Sequence, residues 1–482
     1  MNASLVVIGA TFALAFGLGL RARRGKDMNL AQWAVGGRAF GAVLMFLLLA
    51  GEIYTTFTFL GASGWAYGRG APAFYILCYG ALAYITSYWI APLVWRYARN
   101  HDLVSQPDFF VHKYRSRAFG TLVALVGVVA MIPYLVLQLK GLGIIVSEAS
   151  YGAVSSTAAI WLGVVGVVAY VMVSGIHASA WTAVVKDILI LGVAVFLGLY
   201  LPTALHGGLG PMFDQIEAAQ PGFLTLPAAG QSASWFASTV VLTALGFYMW
   251  PHTFGSIYSA KSADTFRKNA IVMPLYQLVM LFIFFVGFAA LLTVPGLTGT
   301  DADLALLRVS VRTFDPWLVG VIGAAGVLTA LVPGSMILMA ASTVLAKNVV
   351  YSGVGVDDPR IGRLAKGLVP VVAAVALWFT FQGGNSIVAL LLMGYSLVTQ
   401  LFPSLICSLL PRNPLTTAGA IAGLIAGELT VAWVTIGGVK VATLLPGAPT
   451  WVLDLNIGFV ALLVNLLVAG AVTLMTRRGA TQ

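Results

Sequence analysis

Leu48-Leu49-Ala50-Gly51-Glu52-Ile53-Tyr54-Thr55-Thr56-Phe57-Thr58 sets a glycine, a carboxylate and several hydroxyls inside an apolar run that extends over residues 41–67. Such a run exceeds the roughly 20 residues that carry a helix through a hydrocarbon layer of about 30 Å. An ionisable group at that depth costs a few kcal/mol unless it is paired or wetted, so Glu52 beside Gly51 predicts an interrupted span and a functional position. A second interruption falls in the run over 234–256, at Gly246 and at Trp250-Pro251-His252, where proline removes a backbone donor. Each break alone is also what packing produces in membrane helices, which tolerate glycine and proline. Together, in matching positions, they point to a binding site near the bilayer midplane.

The rest of the chain fits that reading. Hydrophobic residues make up 60% and charged residues 9%, far from the roughly one-quarter charged average of soluble domains, so the chain is read as one membrane domain over 1–482. Apolar runs predict about thirteen spans, near 4–20, 41–67, 72–95, 118–147, 157–174, 179–203, 234–256, 269–293, 316–347, 366–382, 385–410, 415–437 and 453–476. No cation precedes the first, whereas Arg21, Arg23, Arg24 and Lys26 follow it. It therefore reads as a retained span with its N-terminus outside, not as a cleaved signal. On that topology twenty of the 26 lysines and arginines face the cytoplasm, with Arg69, Arg308, Arg312 and Lys440 outside, and Lys140 and Lys186 within spans. The net charge of +10 is thus a matter of topology and does not predict a nucleic-acid partner. Cys78 and Cys407 sit in apolar runs as small core residues and give no disulfide or metal framework.

Five span starts separate the two breaks. An odd number makes span two run outward and span seven inward, as an inverted repeat of spans two to six (about 41–203) and seven to eleven (about 234–410) requires. The fold class is accordingly all-α and polytopic, with a five-plus-five core and extra first, twelfth and thirteenth helices.

Several segments carry a family resemblance. Met28 to Gly41, MNLAQWAVGGRAFG, resembles the sodium:solute symporter family ahead of its first core helix. Gln106-Pro107-Asp108-Phe109-Phe110 with Lys113-Tyr114-Arg115-Ser116 is similar to its loop after span three, and Trp250-Pro251-His252 through Ala260-Lys261 to its span-seven exit. The wording of Gly51 to Gly70, Pro133 to Gly143 and Gly175 to Asp187 looks most like its monocarboxylate permease branch. The resemblance implies a LeuT-like core, a symporter in the cell inner membrane, and pyruvate, lactate, acetate or propionate as substrate. Bound cofactors are not expected, and neither is an obligate protein partner; the expected partners are a small carboxylate and the lipid bilayer.

Among residues that could carry chemistry, Glu52 comes first, since a carboxyl sheltered from water can exchange a proton near neutral pH. The bland alternative is a carboxylate permanently bonded to freed backbone N–H groups or to a lysine. Lys140, after Gln138-Leu139, is expected to stay inside span four, where it would hold the substrate carboxylate or pair with Glu52; snorkelling is the third reading. Lys186 and Asp187 are sequence neighbours, which point to different sides of a helix and are not expected to pair; an interfacial anchor is the plainer role. His252 offers an imidazole at the second break, and Tyr54 and Thr55 offer hydroxyls at the first. A packed histidine and a threonine bonded to its own helix are the ordinary alternatives. Gly51, Glu52, Tyr54, Thr55, Gln138, Lys140, Trp250 and His252 form the candidate substrate site; Glu52, Lys186 and Asp187 form the candidate coupling-ion site.

In sodium-coupled relatives, the resemblance implies, a cation sits between the first broken helix and a Ser-Thr pair in span nine. Here those positions fall on Val332 and Pro333, beside Gly51 and Tyr54, and the acidic position after Trp181-Thr182 is Ala183. Neither Val332 nor Pro333 brings a side-chain oxygen, and Lys186 stands one turn on, so its charge could replace the ion's. Ser335, Ser342 and Thr343 would restore oxygens only after a register shift. The reading therefore favours a proton as coupling ion over sodium, with uniport as the third reading. A sodium-driven carrier of an amino acid or vitamin is the first rival; a transporter-like sensor is the rival from another class. No phosphate loop, metal cluster or nucleophile motif supports an enzyme.

Overall fold

The computed structural model describes residues 2–353, 358–439, 443 and 446–478; Lys440, assigned above to an outer loop, lies outside them. Eleven helices among these residues are long and apolar enough to cross a membrane. Two further helix pairs pass that test only together, Ala42–Ile53 with Phe57–Arg69, bent by 52°, and Ala233–Met249 with Pro251–Ser259, bent by 54°. Counting each pair once gives thirteen spans in the predicted order, and the two bent ones are the predicted second and seventh. Helices dominate because a backbone in hydrocarbon must satisfy its own N–H and C=O groups.

The first break is displaced from where the sequence placed it. The helix continues through Gly51 and Glu52 to Ile53 and gives way at Tyr54, whose backbone lies at φ −80°, ψ 74°. In span seven a tight turn over Phe247–Met249 leads to an extended Trp250, and Pro251 opens the next helix. Proline suits that first helical position, where its missing N–H has no partner to lose.

Span nine (Pro316–Val350) is the most enclosed, with 94% of its apolar window buried, and it packs on spans one, four and six. Spans twelve (Thr417–Thr435) and thirteen (Ile457–Arg477) pair with each other at the margin. Spans five (Ser156–Val173) and six (Gly175–His206) meet at Gly175 alone, where a longer connection was expected. Its φ of +53° and the Trp33 carbonyl, which a Cβ at this position would overlap, leave room for glycine only.

Phe40 N–H donates to the Ser259 carbonyl (3.0 Å) and Lys261 N–H to that of Phe40 (2.8 Å), a parallel bridge pinning the start of span two to the end of span seven. The two broken spans therefore run in opposite directions, as an inverted repeat demands. This pinned end lies on the face rich in lysine and arginine. On the opposite, far face the segment Gly299–Leu304 and the helix Ala305–Thr313 lie over the outer half of span two.

Candidate functional site

The two breaks converge on Glu52. Its side chain is only 3% exposed, and one carboxyl oxygen accepts a hydrogen bond from Ser256 of span seven. Ser256 lies four residues after His252, on the same face of its half-helix. From span four, the Tyr134 hydroxyl donates to the Glu52 carbonyl at 3.1 Å, so three spans meet at one residue. The second carboxyl oxygen finds no hydrogen-bond partner among the described residues, and such a group is costly in low dielectric.

On the other side of Gly51 sits Lys186, fully buried. Its ammonium donates to the Tyr54 carbonyl at 3.1 Å, a carbonyl freed by the break. A Cβ built on Gly51 would lie 3.2 Å from that nitrogen, 3.7 Å from the Val332 side chain and 3.9 Å from that of Ala183. The ammonium thus lies beside Gly51 and on the Tyr54 carbonyl, two of the positions at which the family resemblance implied a sodium ion, with Val332 and Ala183 also next to Gly51. Pro333 follows Val332 within span nine. Ser335 is turned to Ser179 (2.8 Å) and to the Val332 carbonyl, and Ser342 and Thr343 bond back to their own helix.

Lys186 and Asp187 do pair, contrary to the neighbour rule, with nitrogen and oxygen 3.1 Å apart and both buried. The four-carbon stem of lysine lets its ammonium turn back past its own backbone, and desolvation leaves the two charges no better partner. The contact closes by distance without completing a hydrogen bond, and neither Asp187 oxygen has another partner among the described residues.

Lys140 is not part of this cluster. Its side chain is a quarter exposed, its ammonium donates to the Asn385 carbonyl at 2.7 Å, and it lies 3.7 Å from Asp303 on the far face. Of the three readings left open for it, the pairing with Glu52 is not formed: the side chain reaches to the far face and pairs with a loop residue that no sequence spacing had brought near. Gln138, two residues earlier, does face inward and bonds Thr56 of the first break. Thr55 accepts from the Phe57 N–H at 3.1 Å, its ordinary local role. The Tyr54 hydroxyl donates to the Tyr276 carbonyl at 2.8 Å, anchoring the break to span eight.

Trp250 and His252 lie against Tyr134, with ring centroids 5.0 Å and 5.5 Å away, and Trp250 also meets Tyr395 of span eleven edge-on at 5.3 Å. The indole N–H of Trp250, the Gln138 amide nitrogen and Nδ1 of His252 are buried without partners among the described residues. Unused donors beside aromatic rings can receive a small anion with an apolar body. Ser256, Tyr134, Tyr395 and Ser179, the partner of Ser335, escaped the sequence reading. For Ser256 the signal was present, one helical turn beyond His252; the others depend on which spans become neighbours.

Two broken antiparallel helices, meeting around buried polar groups in a bundle of thirteen spans, define a secondary membrane transporter of the inverted-repeat class. The sodium:solute symporter family model matches residues 33–427, and the chain belongs to that family. It is 63% identical over 480 residues to YhjB of Bacillus subtilis, an uncharacterized symporter, covering 99% of this chain and 98% of that one. To YodF of the same organism, also an uncharacterized symporter, it is 33% identical over 415 residues, covering 85% and 83%. To a monocarboxylate transport permease of Rhizobium johnstonii it is 29% identical over 412 residues, covering 83% and 81%. Among solved structures, a Na+-coupled sialic acid symporter matches with a TM-score of 0.79 at 14% identity, over 99% of this chain and 97% of that one. MhsT, in complex with L-phenylalanine, matches with a TM-score of 0.54 at 13% identity, over 89% and 98%. The protein is thus a multi-pass membrane symporter for a small solute, with a LeuT-like core.

Proposed function

We propose that the protein is a proton-coupled symporter of short monocarboxylates such as pyruvate, lactate, acetate or propionate. It would work in the cell inner membrane as a single transporter domain, with repeats near 41–203 and 234–410, its N-terminus outside and its C-terminus cytoplasmic. It would need neither a cofactor nor a protein partner.

The observation that carries the coupling reading is the position of the Lys186 ammonium, 3.1 Å from the Tyr54 carbonyl and set against Gly51. A tethered cation supplies the charge that a bound sodium would bring, and it does so without needing several oxygen ligands. A group that cannot leave the site can alter its charge only by gaining or losing a proton. Asp187, 3.1 Å from the Lys186 nitrogen, lies close enough to exchange it, and Glu52, the residue after Gly51, is the next carboxyl we assign to proton handling. The substrate reading draws support from the Rhizobium johnstonii permease and from the unused donors of Trp250 and Gln138, with aromatic rings for the short apolar tail.

Uptake of radiolabelled lactate and pyruvate into proteoliposomes, with proton and sodium gradients imposed independently, tests both parts. Accumulation driven by the proton gradient in sodium-free buffer is expected. Accumulation that requires sodium would overturn the coupling assignment, and uptake of neither acid, nor of acetate or propionate, under any gradient would overturn the substrate class.

A further inference from the structure

On the far face, Asp303 is 1% exposed although it lies in a loop segment. One of its oxygens accepts the Ile387 N–H at 3.0 Å, at the start of span eleven (Ile387–Leu409), and lies 3.7 Å from the Lys140 ammonium. That ammonium donates in turn to the Asn385 carbonyl at 2.7 Å. Three separate elements, span four, the covering segment Gly299–Leu304 and span eleven, are thereby joined through one carboxylate. The cover presses directly on the outer half of span two, where a Cβ at Gly64 would meet the Ala302 carbonyl at 2.8 Å. Beneath it, a Cβ at Gly61 would meet the side chains of Ile387 and Val388 at 3.0 Å. These contacts close the far-face half of span two against the cover and span eleven.

We infer that Asp303 is a gate residue, whose bonds to Ile387 N–H and Lys140 latch the far-face cover over the first broken helix once the site is loaded. The chemistry favours a latch over a permanent staple. Asp303 makes one backbone bond and one long ion pair, few enough to break in a conformational cycle, and Lys140 has a second partner in the Asn385 carbonyl. The inference rests on the chain being a transporter whose site opens to this face. It stands or falls separately from the choice of substrate and of coupling ion.

The latch carries a pH sense. Burial raises the Asp303 carboxyl from 3.8 to about 6, against the opposing pull of Lys140 and of the Ile387 N–H and with a smaller push from Asp301. The other charges on elements packed around it are Arg69, Arg308 and Arg312, of which Arg308 faces Glu148 at 3.5 Å and Arg312 bonds the Thr293 carbonyl; span eleven brings none near its start. A group that holds its proton more tightly when closed than when hydrated stabilises the closed form as pH falls. The latch should therefore tighten as pH drops through about 6 towards the ordinary carboxyl range.

Val388→Cys in a Cys78→Ala, Cys407→Ala background, labelled with a membrane-impermeant maleimide from the far face, reads the opening directly. Asp303→Ala and Lys140→Met should each label faster than the parent, Asp303→Ala by about tenfold, the loss expected for a hydrogen bond to a charged group. Asp303→Asn retains the acceptor for Ile387 N–H and stays neutral, so it controls for folding. Compared with it at each pH, to cancel the thiol's own titration, the parent should label faster at pH ~7.5, and the difference should shrink as pH falls through about 6 towards the ordinary carboxyl range. Equal labelling of Asp303→Ala and parent would overturn the latch, and a parent-to-Asn ratio that does not change with pH would overturn its proton sense.

Discussion

Replacing Lys186 by methionine tests the central geometry most severely. The substitution keeps the length and apolar stem and removes only the ammonium, which leaves Asp187, 4% exposed, as an uncompensated buried carboxylate. It also strips the Tyr54 carbonyl of its donor at 3.1 Å. Breaking one side of a buried ion pair costs about 3–5 kcal/mol, and the lost carbonyl bond belongs to the same event and is not added again. Thermal unfolding of detergent-purified protein, followed by intrinsic tryptophan fluorescence, should show a clear loss of stability. The double variant Lys186→Met/Asp187→Leu should recover most of that loss, because it removes the orphaned charge and fills its volume. Transport must separate from stability: the double variant, though folded, should bind and exchange lactate yet fail to accumulate it against a gradient. A double variant that still drives uphill uptake from a proton gradient would falsify the tethered-cation reading, whatever its stability.

Glu52→Gln keeps an acceptor for Ser256 while removing the charge, so uphill uptake should be lost and substrate exchange retained; counterflow and gradient-driven uptake measured side by side decide it. Trp250→Phe preserves the ring contacts with Tyr134 and Tyr395 but deletes the indole N–H. KM for lactate should rise by about tenfold with kcat little changed, and an unaltered KM would remove Trp250 from the substrate site. Gly175→Ala drives a Cβ into the Trp33 carbonyl at a φ of +53°, so the protein should lose at least about 1–3 kcal/mol of stability and express poorly. A Gly175→Ala variant that melts like the parent would mean that spans five and six join differently.

Much of the architecture was legible from composition and spacing. Thirteen spans, two of them broken, and the odd separation that turns one against the other all followed from where Gly51-Glu52 and Pro251 interrupt apolar runs. The site was legible in part. Glu52 and His252 were found because polar groups stand out against hydrocarbon, and Ser256 could have been found by stepping one helical turn. Lys140 shows the limit: depth along a span tells that an ammonium needs a partner, not which partner. The bundle supplied Asp303, more than 160 residues away, from a loop with no signature of its own.

Periodicity and hydropathy act along the chain, and the bilayer penalises unsatisfied polar groups along each span; the sequence by itself therefore determined the spans, which two of them break and that these two run in opposite directions, while the first break itself came to lie at Tyr54. Which side chains meet depends on how helices rotate and pack against one another, through contacts between residues far apart in the chain. The tertiary structure alone decided that Glu52 meets Ser256, that Lys186 turns back to Asp187 and fills the place beside Gly51, and that Lys140 looks outward to Asp303.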